Sequence, residues 1–286
     1  MRLPDWGYAA GWRAIRTVPS PFARAVFDVG ARVGFHRQGT AARRLRGNLA
    51  RVVDESVLDA TVAAGMRSYA RYWCEVFRLP ELDRDTVVGR MNVAHEHRLR
   101  EAWAEGRGMI LALPHTGNWD HAGAWLVMTG VPFTTVAERL RPEALYGRFV
   151  RFRESLGMEV IPLTGGERPP YAVLAERLRA GGCLCLLADR DLTSTGVGVD
   201  FFGGRAKMPA GPAALAIDTG AALLPVTLHY PDDRSWAGHI HPRVVPPAGR
   251  SRQEQIGAMT QQMADAFAEG IAAHPEDWHM FQKVWV

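Results

Sequence analysis

The amino-acid sequence predicts an α/β fold, a single domain with a central, mostly parallel sheet flanked by helices and an N-terminal helical segment. Three observations predict it. Residues 7–80 place apolar side chains only at three-and-four spacing; from residue 92 onward the pattern alternates strand, helix, strand; and Met109 to Leu113 form a continuous apolar run, as in a strand covered on both faces. At 286 residues, 47% of them hydrophobic, the chain can bury one large core, so a single domain over 1–286 is expected, with a helical part at 1–80 and an α/β part at 92–286.

Four helices are expected first, over 7–17, 21–35, 40–53 and 55–79, with Pro21 in the first turn of its helix and Pro80 as a stop. The last carries an aromatic stripe, Tyr69, Tyr72, Trp73, Val76 and Phe77, read as core packing in preference to a ligand groove. The formal net charge is only +4, but residues 1–80 hold 13 Arg, no Lys and 6 Asp plus Glu, a balance of +7 that leaves −3 for the rest. Arginines spread among Trp6, Trp12, Phe22, Phe27 and Phe35 suit an anionic membrane surface; a solvated helical face is the alternative.

The second part opens with a helix over 95–105. Apolar strands follow at 109–113, 131–136, 158–163, 183–187 and 222–230, with helices near 142–156, 170–180 and 209–219 between them. An edge or antiparallel strand is expected over 239–245, and a closing helix over 253–273. Residues 199–204 and 208–212 flank an expected loop. There is no internal repeat and no low-complexity linker.

The 109–113 strand ends abruptly in Pro114, which has no N–H for a ladder, and His115 therefore stands at the strand's C-terminal end. In open α/β sheets that end is where sites form. The Gly117-Asn118 turn leads into an amphipathic segment that Asn118 or Asp120 can cap, and a carboxylate there is favoured by the helix dipole. Across the turn His115 and Asp120 can face each other. A neutral imidazole takes a proton from a hydroxyl near neutral pH, and an adjacent carboxylate fixes its tautomer. With no Gly-x-Ser-x-Gly elbow in the chain, the nucleophile is expected to be a substrate hydroxyl. The competing reading is that His115 only ends a strand and Asp120 only caps a helix.

His115-Thr-Gly-Asn-Trp-Asp120 resembles the H-x-x-x-x-D signature of the glycerolipid and lipid A acyltransferase superfamily, in the form used by its lauroyl/myristoyl-type branch. Further segments in order, at 135–140, 163–169, 188–192, 199–203 and 277–280, resemble the phosphatidylinositol mannoside acyltransferases, a similarity running from about Trp6 to the C-terminus. The resemblance implies acyl transfer from a long-chain acyl-CoA such as palmitoyl-CoA, a co-substrate and not a cofactor, to a mannose hydroxyl of a phosphatidylinositol mannoside. It also implies that the N-terminal helices lie against the bilayer at the cytoplasmic face of the cell membrane.

Other polar positions are weighed against that frame. Glu138 follows the 131–136 strand and is expected in the same crevice as His115, with a surface ion pair as the alternative. Arg153, beside Arg148 and Arg151, is a candidate for a phosphate on the acceptor, because guanidinium donates two parallel bonds. Asp189 and Arg190 follow the 183–187 strand to the same sheet edge. The resemblance puts an active-site carboxylate at Asp189, where relatives carry Glu. Whether the shorter side chain touches His115, orients it through water, only organises the acceptor site, or pairs with Arg190 stays open. The resemblance also implies that His279 returns to the acceptor pocket, against a packed, hydrogen-bonded histidine. Phe201 and Phe202 are either acyl-tunnel lining or plain core. Gly165-Gly166 is a weak phosphate-turn signal.

No apolar segment followed by a small-residue cleavage site stands at the N-terminus, and no run reaches the ~18 apolar residues of a spanning helix, so a cytosolic or peripheral protein is expected. Cys74, Cys183 and Cys185 are expected as reduced, buried thiols. His239 and His241 share a strand face but lack Cys or carboxylate companions, so no metal is expected. No cofactor or nucleic-acid partner is expected, and the chain is expected to act as a monomer.

Overall fold

The computed structural model describes residues 15–139, 142–191 and 196–285. The helix expected over 7–17 lies, through residue 14, outside the described residues. Three helices come first: α1 (Ser20–His36) and α2 (Thr40–Leu49) pack on α3 (Glu55–Arg78). α1 buries Ala23 and Ala31 on one side and leaves Phe22, Val26, Val29 and Val33 between 42% and 70% exposed on the other. Their spacing puts all four on one helical stripe. No described helix is long and apolar enough to cross a membrane.

The short α4 (Arg84–Gly89) leads to the α/β part: β1 (Met91–Ala94), α5 (Glu96–Ala104), β2 (Met109–Leu113), α6 (Trp119–Met128), β3 (Phe133–Ala137), α7 (Glu143–Ser155), β4 (Glu159–Pro162), α8 (Pro170–Arg179) and β5 (Cys183–Leu187). Then come β6 (Val197–Phe201), β7 (Gly204–Met208), α9 (Gly211–Thr219), β8 (Ala222–His229), β9 (Trp236–Ile240) and α10 (Arg252–Ala273). Seven strands form one sheet in the order β1-β9-β8-β2-β5-β3-β4, parallel throughout except for the β8–β9 pair. β2 is central and wholly buried, as its unbroken apolar run requires. Its side chains alternate between two cores: Ile110 and Ala112 face α8, α9 and α10, while Met109, Leu111 and Leu113 face α6.

Three expectations need correction. β1 was not expected: it is four residues long and alternates half-buried with exposed side chains, so it carries no apolar run. The edge strand expected over 239–245 is β9 at Trp236–Ile240, because Pro242 cannot extend a ladder. The loop expected around 199–208 is the β6–β7 hairpin, a separate two-stranded sheet against α10. It turns at Phe202 and Gly203, both with positive φ (46° and 69°), the conformation of the tight turns that match strand twist. Phe201 is 2% exposed and belongs to the core facing α10, and Phe202, partly buried, packs against that core.

Candidate active site

The chain leaves β2 at Leu113 and turns sharply through Pro114 to Gly117 before α6 begins. Gly117 is required there twice over: its φ is +54°, and a Cβ would stand 2.9 Å from the carbonyl carbon of Leu228. The turn is tied down by the Thr116 N–H donating to the Pro114 carbonyl (2.8 Å), the Gly117 N–H to the Asp277 carbonyl (3.0 Å) and the Leu228 N–H to Thr116 Oγ1 (3.1 Å). Asn118 is the N-cap of α6, its Oδ1 accepting from the His121 N–H at 2.9 Å, an interaction worth ~1 kcal/mol.

The carboxylate on His115 is Asp189. Its Oδ1 lies 2.6 Å from His115 Nδ1, its Oδ2 accepts the His115 backbone N–H at 2.9 Å, and the same oxygen accepts the Trp278 indole N–H at 3.0 Å. Asp189 is 1% exposed. Burial alone would raise its carboxyl, but the charge of His115 and these three hydrogen bonds outweigh it and hold the group below the usual carboxylate range. An ionised Asp189 makes Nδ1 the protonated nitrogen and leaves the lone pair on Nε2. Of the readings left open for Asp189, direct contact with His115 is the one observed.

Asp120 does something else. It sits in the first turn of α6, as expected, but its hydrogen bonds go to Arg153 and Tyr72 and not to His115. Arg153 donates Nε to Oδ1 (2.7 Å) and Nη2 to Oδ2 (3.2 Å), and the Tyr72 hydroxyl donates to Oδ2 at 2.7 Å. The expectation that Asp120 orients His115 is therefore corrected. Five residues of separation bring the two close along the chain, but the helix turns the carboxylate toward α7. In the same pair Arg153, expected as a phosphate clamp, has its Nε and Nη2 engaged by Asp120 while the residue lines the cavity between α6 and the sheet. Tyr72, read as part of a packing stripe, is indeed 2% exposed, yet its hydroxyl reaches the site.

Glu138 and Arg190 stand at the C-terminal ends of β3 and β5 and pair with each other at 3.2 Å. Arg190 does not pair with Asp189. His279 does return to His115, donating its backbone N–H to the His115 carbonyl at 2.7 Å, but its ring is buried, with Nε2 2.8 Å from Ser68 Oγ. Burial, and the charge of His115, lower its pKa to about 3, so it is a neutral wall and not an exposed binding group. Ser68 in turn donates to Asp277 (2.5 Å), whose carboxyl burial pushes up to about 6. In the 165–166 turn, the Gly165 carbonyl accepts from Arg139 at 3.1 Å.

A largely apolar cavity of about 760 Å³, counted to its open mouth, runs between α6 and the sheet face carrying Leu111, Leu113, Cys185 and Val226. Trp119 forms part of its wall and meets the His115 ring edge-on, with centroids 5.5 Å apart. Asp120 and Arg153 supply its polar wall, and Leu187, 38% exposed, lies where β5 ends beside Asp189. A proton acceptor thus stands one aromatic ring, that of Trp119, from a largely apolar space, an arrangement suited to a reaction at one end of a hydrocarbon chain.

Comparison with known proteins agrees in kind. The model of the bacterial lipid A biosynthesis acyltransferase family matches residues 2–286. The chain is 51% identical over 288 residues to a phosphatidylinositol mannoside acyltransferase of Mycolicibacterium smegmatis, covering 100% of this chain and 92% of that one. It is also 51% identical over 292 residues to a protein of the same name from Mycobacterium tuberculosis, covering 99% and 88%.

Proposed function

The chain belongs to the bacterial lipid A biosynthesis acyltransferase family, and on that footing we propose that it moves a long acyl chain from acyl-CoA to a mannose hydroxyl of a phosphatidylinositol mannoside. The observation that carries this reading is the 2.6 Å pairing of His115 with Asp189 beside the apolar cavity.

In this mechanism His115 Nε2 takes the proton of the acceptor hydroxyl while Asp189 holds the ring's tautomer and stabilises the imidazolium. The acceptor oxygen bonds to the thioester carbonyl carbon. When the tetrahedral intermediate collapses, the C–S bond breaks and the proton on His115 passes to the departing CoA sulfur. General base catalysis of this kind contributes roughly 10²- to 10⁴-fold. Backbone amides at the start of α6 serve the oxyanion, and the acyl chain occupies the cavity. Asp120 and Arg153 keep the first turn of α6 fixed to α7. Glu138 and Arg190 border the acceptor side of the crevice.

The protein works at the cytoplasmic face of the membrane, as a monomer and without a cofactor. The exposed stripe Phe22, Val26, Val29 and Val33 supports binding to a bilayer surface by inserted side chains, while Arg24 and Arg32 of the same helix are already paired, with Glu75 and Asp28.

The test is release of free CoA from palmitoyl-CoA by the purified chain, with and without phosphatidylinositol dimannoside, in parallel with His115→Ala. Release that depends on acceptor and disappears in the variant supports both the reaction and the base. No release from the unaltered protein with any sugar lipid sinks the enzyme reading. Sedimentation with anionic vesicles, before and after Phe22→Asp with Val26→Asp, tests the membrane part.

A further inference from the structure

Glu75 is a carboxylate buried in α3 and 8% exposed, on a helix side it shares with Tyr72, Cys74 and Val76. Three N–H groups converge on it: Arg71 Nε on Oε1 at 2.7 Å, and on Oε2 both Asn118 Nδ2 at 2.9 Å and Trp236 Nε1 at 2.7 Å. Arg24 of α1 stands 3.6 Å from Oε1. Every partner donates, so the position calls for a group that only accepts. The hub is itself anchored. Arg71 lies over the Tyr230 ring at 3.8 Å and donates to the carbonyls of Asp232 and Ser235, and Trp236 stacks on His121 at 3.7 Å.

Asn118 connects this hub to the site. Its side chain is held at both ends, Nδ2 by Glu75 and Oδ1 by the His121 N–H, and it is 4% exposed. The N–H groups of Thr116 and Gly117 already have carbonyl acceptors, at Pro114 and Asp277. Among the described residues, that leaves the amides of Asn118, Trp119 and Asp120 at the start of α6, and of these the Asn118 and Trp119 groups adjoin the gripped side chain and are the turn's donors for a developing oxyanion.

We propose that Glu75 is a positioning residue for acyl transfer: by gripping Asn118 it fixes the Asn118 and Trp119 amides as the face that stabilises the tetrahedral oxyanion. This rests on the acyl-transfer reading above. An oxyanion exists only beyond the ground state, so loosening its donors lowers kcat and leaves KM in place. Displacement by about 1 Å is enough for a loss on the order of 10²-fold.

The experiment measures kcat, KM and the unfolding midpoint of the full chain with palmitoyl-CoA and phosphatidylinositol dimannoside. Asn118→Ser keeps a capping oxygen for His121 but is too short to reach Glu75. It is expected to lower kcat by about 10- to 100-fold with KM within about threefold. Glu75→Gln is expected to do the same. On a Trp236→Phe background, which removes the indole N–H that an amide would leave without an acceptor, adding Asn118→Asp to Glu75→Gln reverses the polarity of the bond and is expected to recover about tenfold in kcat. Wild-type kcat in folded Asn118→Ser, a KM that rises in step with the fall in kcat, or no recovery in the reversed pair overturns the proposal. If Glu75→Gln does not fold, Asn118→Ser decides alone. A wild-type chain that releases no CoA is a different failure, that of the acyl-transfer reading, and takes the proposal with it.

Discussion

His115 and Asp189 are separated by the same 74 residues as Leu113 and Leu187, the last registered pair of the parallel strands β2 and β5. Each stands two residues beyond its strand, so the register itself brings imidazole and carboxylate together at 2.6 Å. The dyad is a product of the sheet, while Asp120 of the H-x-x-x-x-D segment serves the helix that follows.

That division has a consequence for stability. Asp120 is 2% exposed, and the Arg153 side chain 19%. Removing one partner leaves the other charge without a counterion in a largely buried place, which costs about 3–5 kcal/mol. Asp120→Ala and Arg153→Met are each expected to lower the urea midpoint strongly, and the double variant less than the sum of the two. Additive losses would show that the pair is not coupled.

Chain-length preference follows from the cavity. Ala122 of α6 lines it with little bulk. Ala122→Phe is expected to reduce kcat/KM for palmitoyl-CoA at least tenfold relative to decanoyl-CoA, since each methylene that no longer fits is worth roughly 1–3 kcal/mol. Equal loss for both donors would place the acyl chain elsewhere.

Acid should destabilise the fold. Burial, first among the causes in each case, lowers His121, His229 and His241 to about 4 and His279 to about 3, against 6.5 for an ordinary histidine. Their stabilising contribution is complete above pH 6.5 and is lost as pH falls toward the folded values, because the unfolded chain takes up protons that the native state refuses. His121 alone accounts for roughly 3 kcal/mol across that window. Asp277, raised from 3.8 to about 6, runs the other way, adding stability as pH falls through 6. Four histidines outweigh one carboxyl, so urea midpoints are expected to drop from pH 7.5 to pH 5. A flat or rising midpoint would contradict the burial argument.

The elements were legible in the sequence where the local pattern was strong. An unbroken apolar run and a stopping proline marked β2 and put His115 at its end, and of the two cap candidates, Asn118 and Asp120, the structure selects Asn118. What was not legible depends on register and on helix rotation. Nothing local pairs residues 115 and 189, and spacing alone made Asp120 look like the partner of His115. Tyr72 and Glu75 were hidden in an aromatic helix face whose pattern reports burial and not what a buried hydroxyl or carboxylate touches. The β6–β7 hairpin left a usable signal, the alternation of Val197, Val199 and Phe201 before Phe202-Gly203, which the glycines obscured.

The most direct measurement compares Asp189→Asn with Asp120→Asn in turnover of palmitoyl-CoA, on protein shown to be folded. If Asp189 holds the working tautomer of His115, Asp189→Asn lowers kcat by about 10³- to 10⁴-fold, while Asp120→Asn lowers chiefly the unfolding midpoint. Near-normal turnover in Asp189→Asn, with turnover abolished in folded Asp120→Asn, would contradict the account and return the orienting role to Asp120.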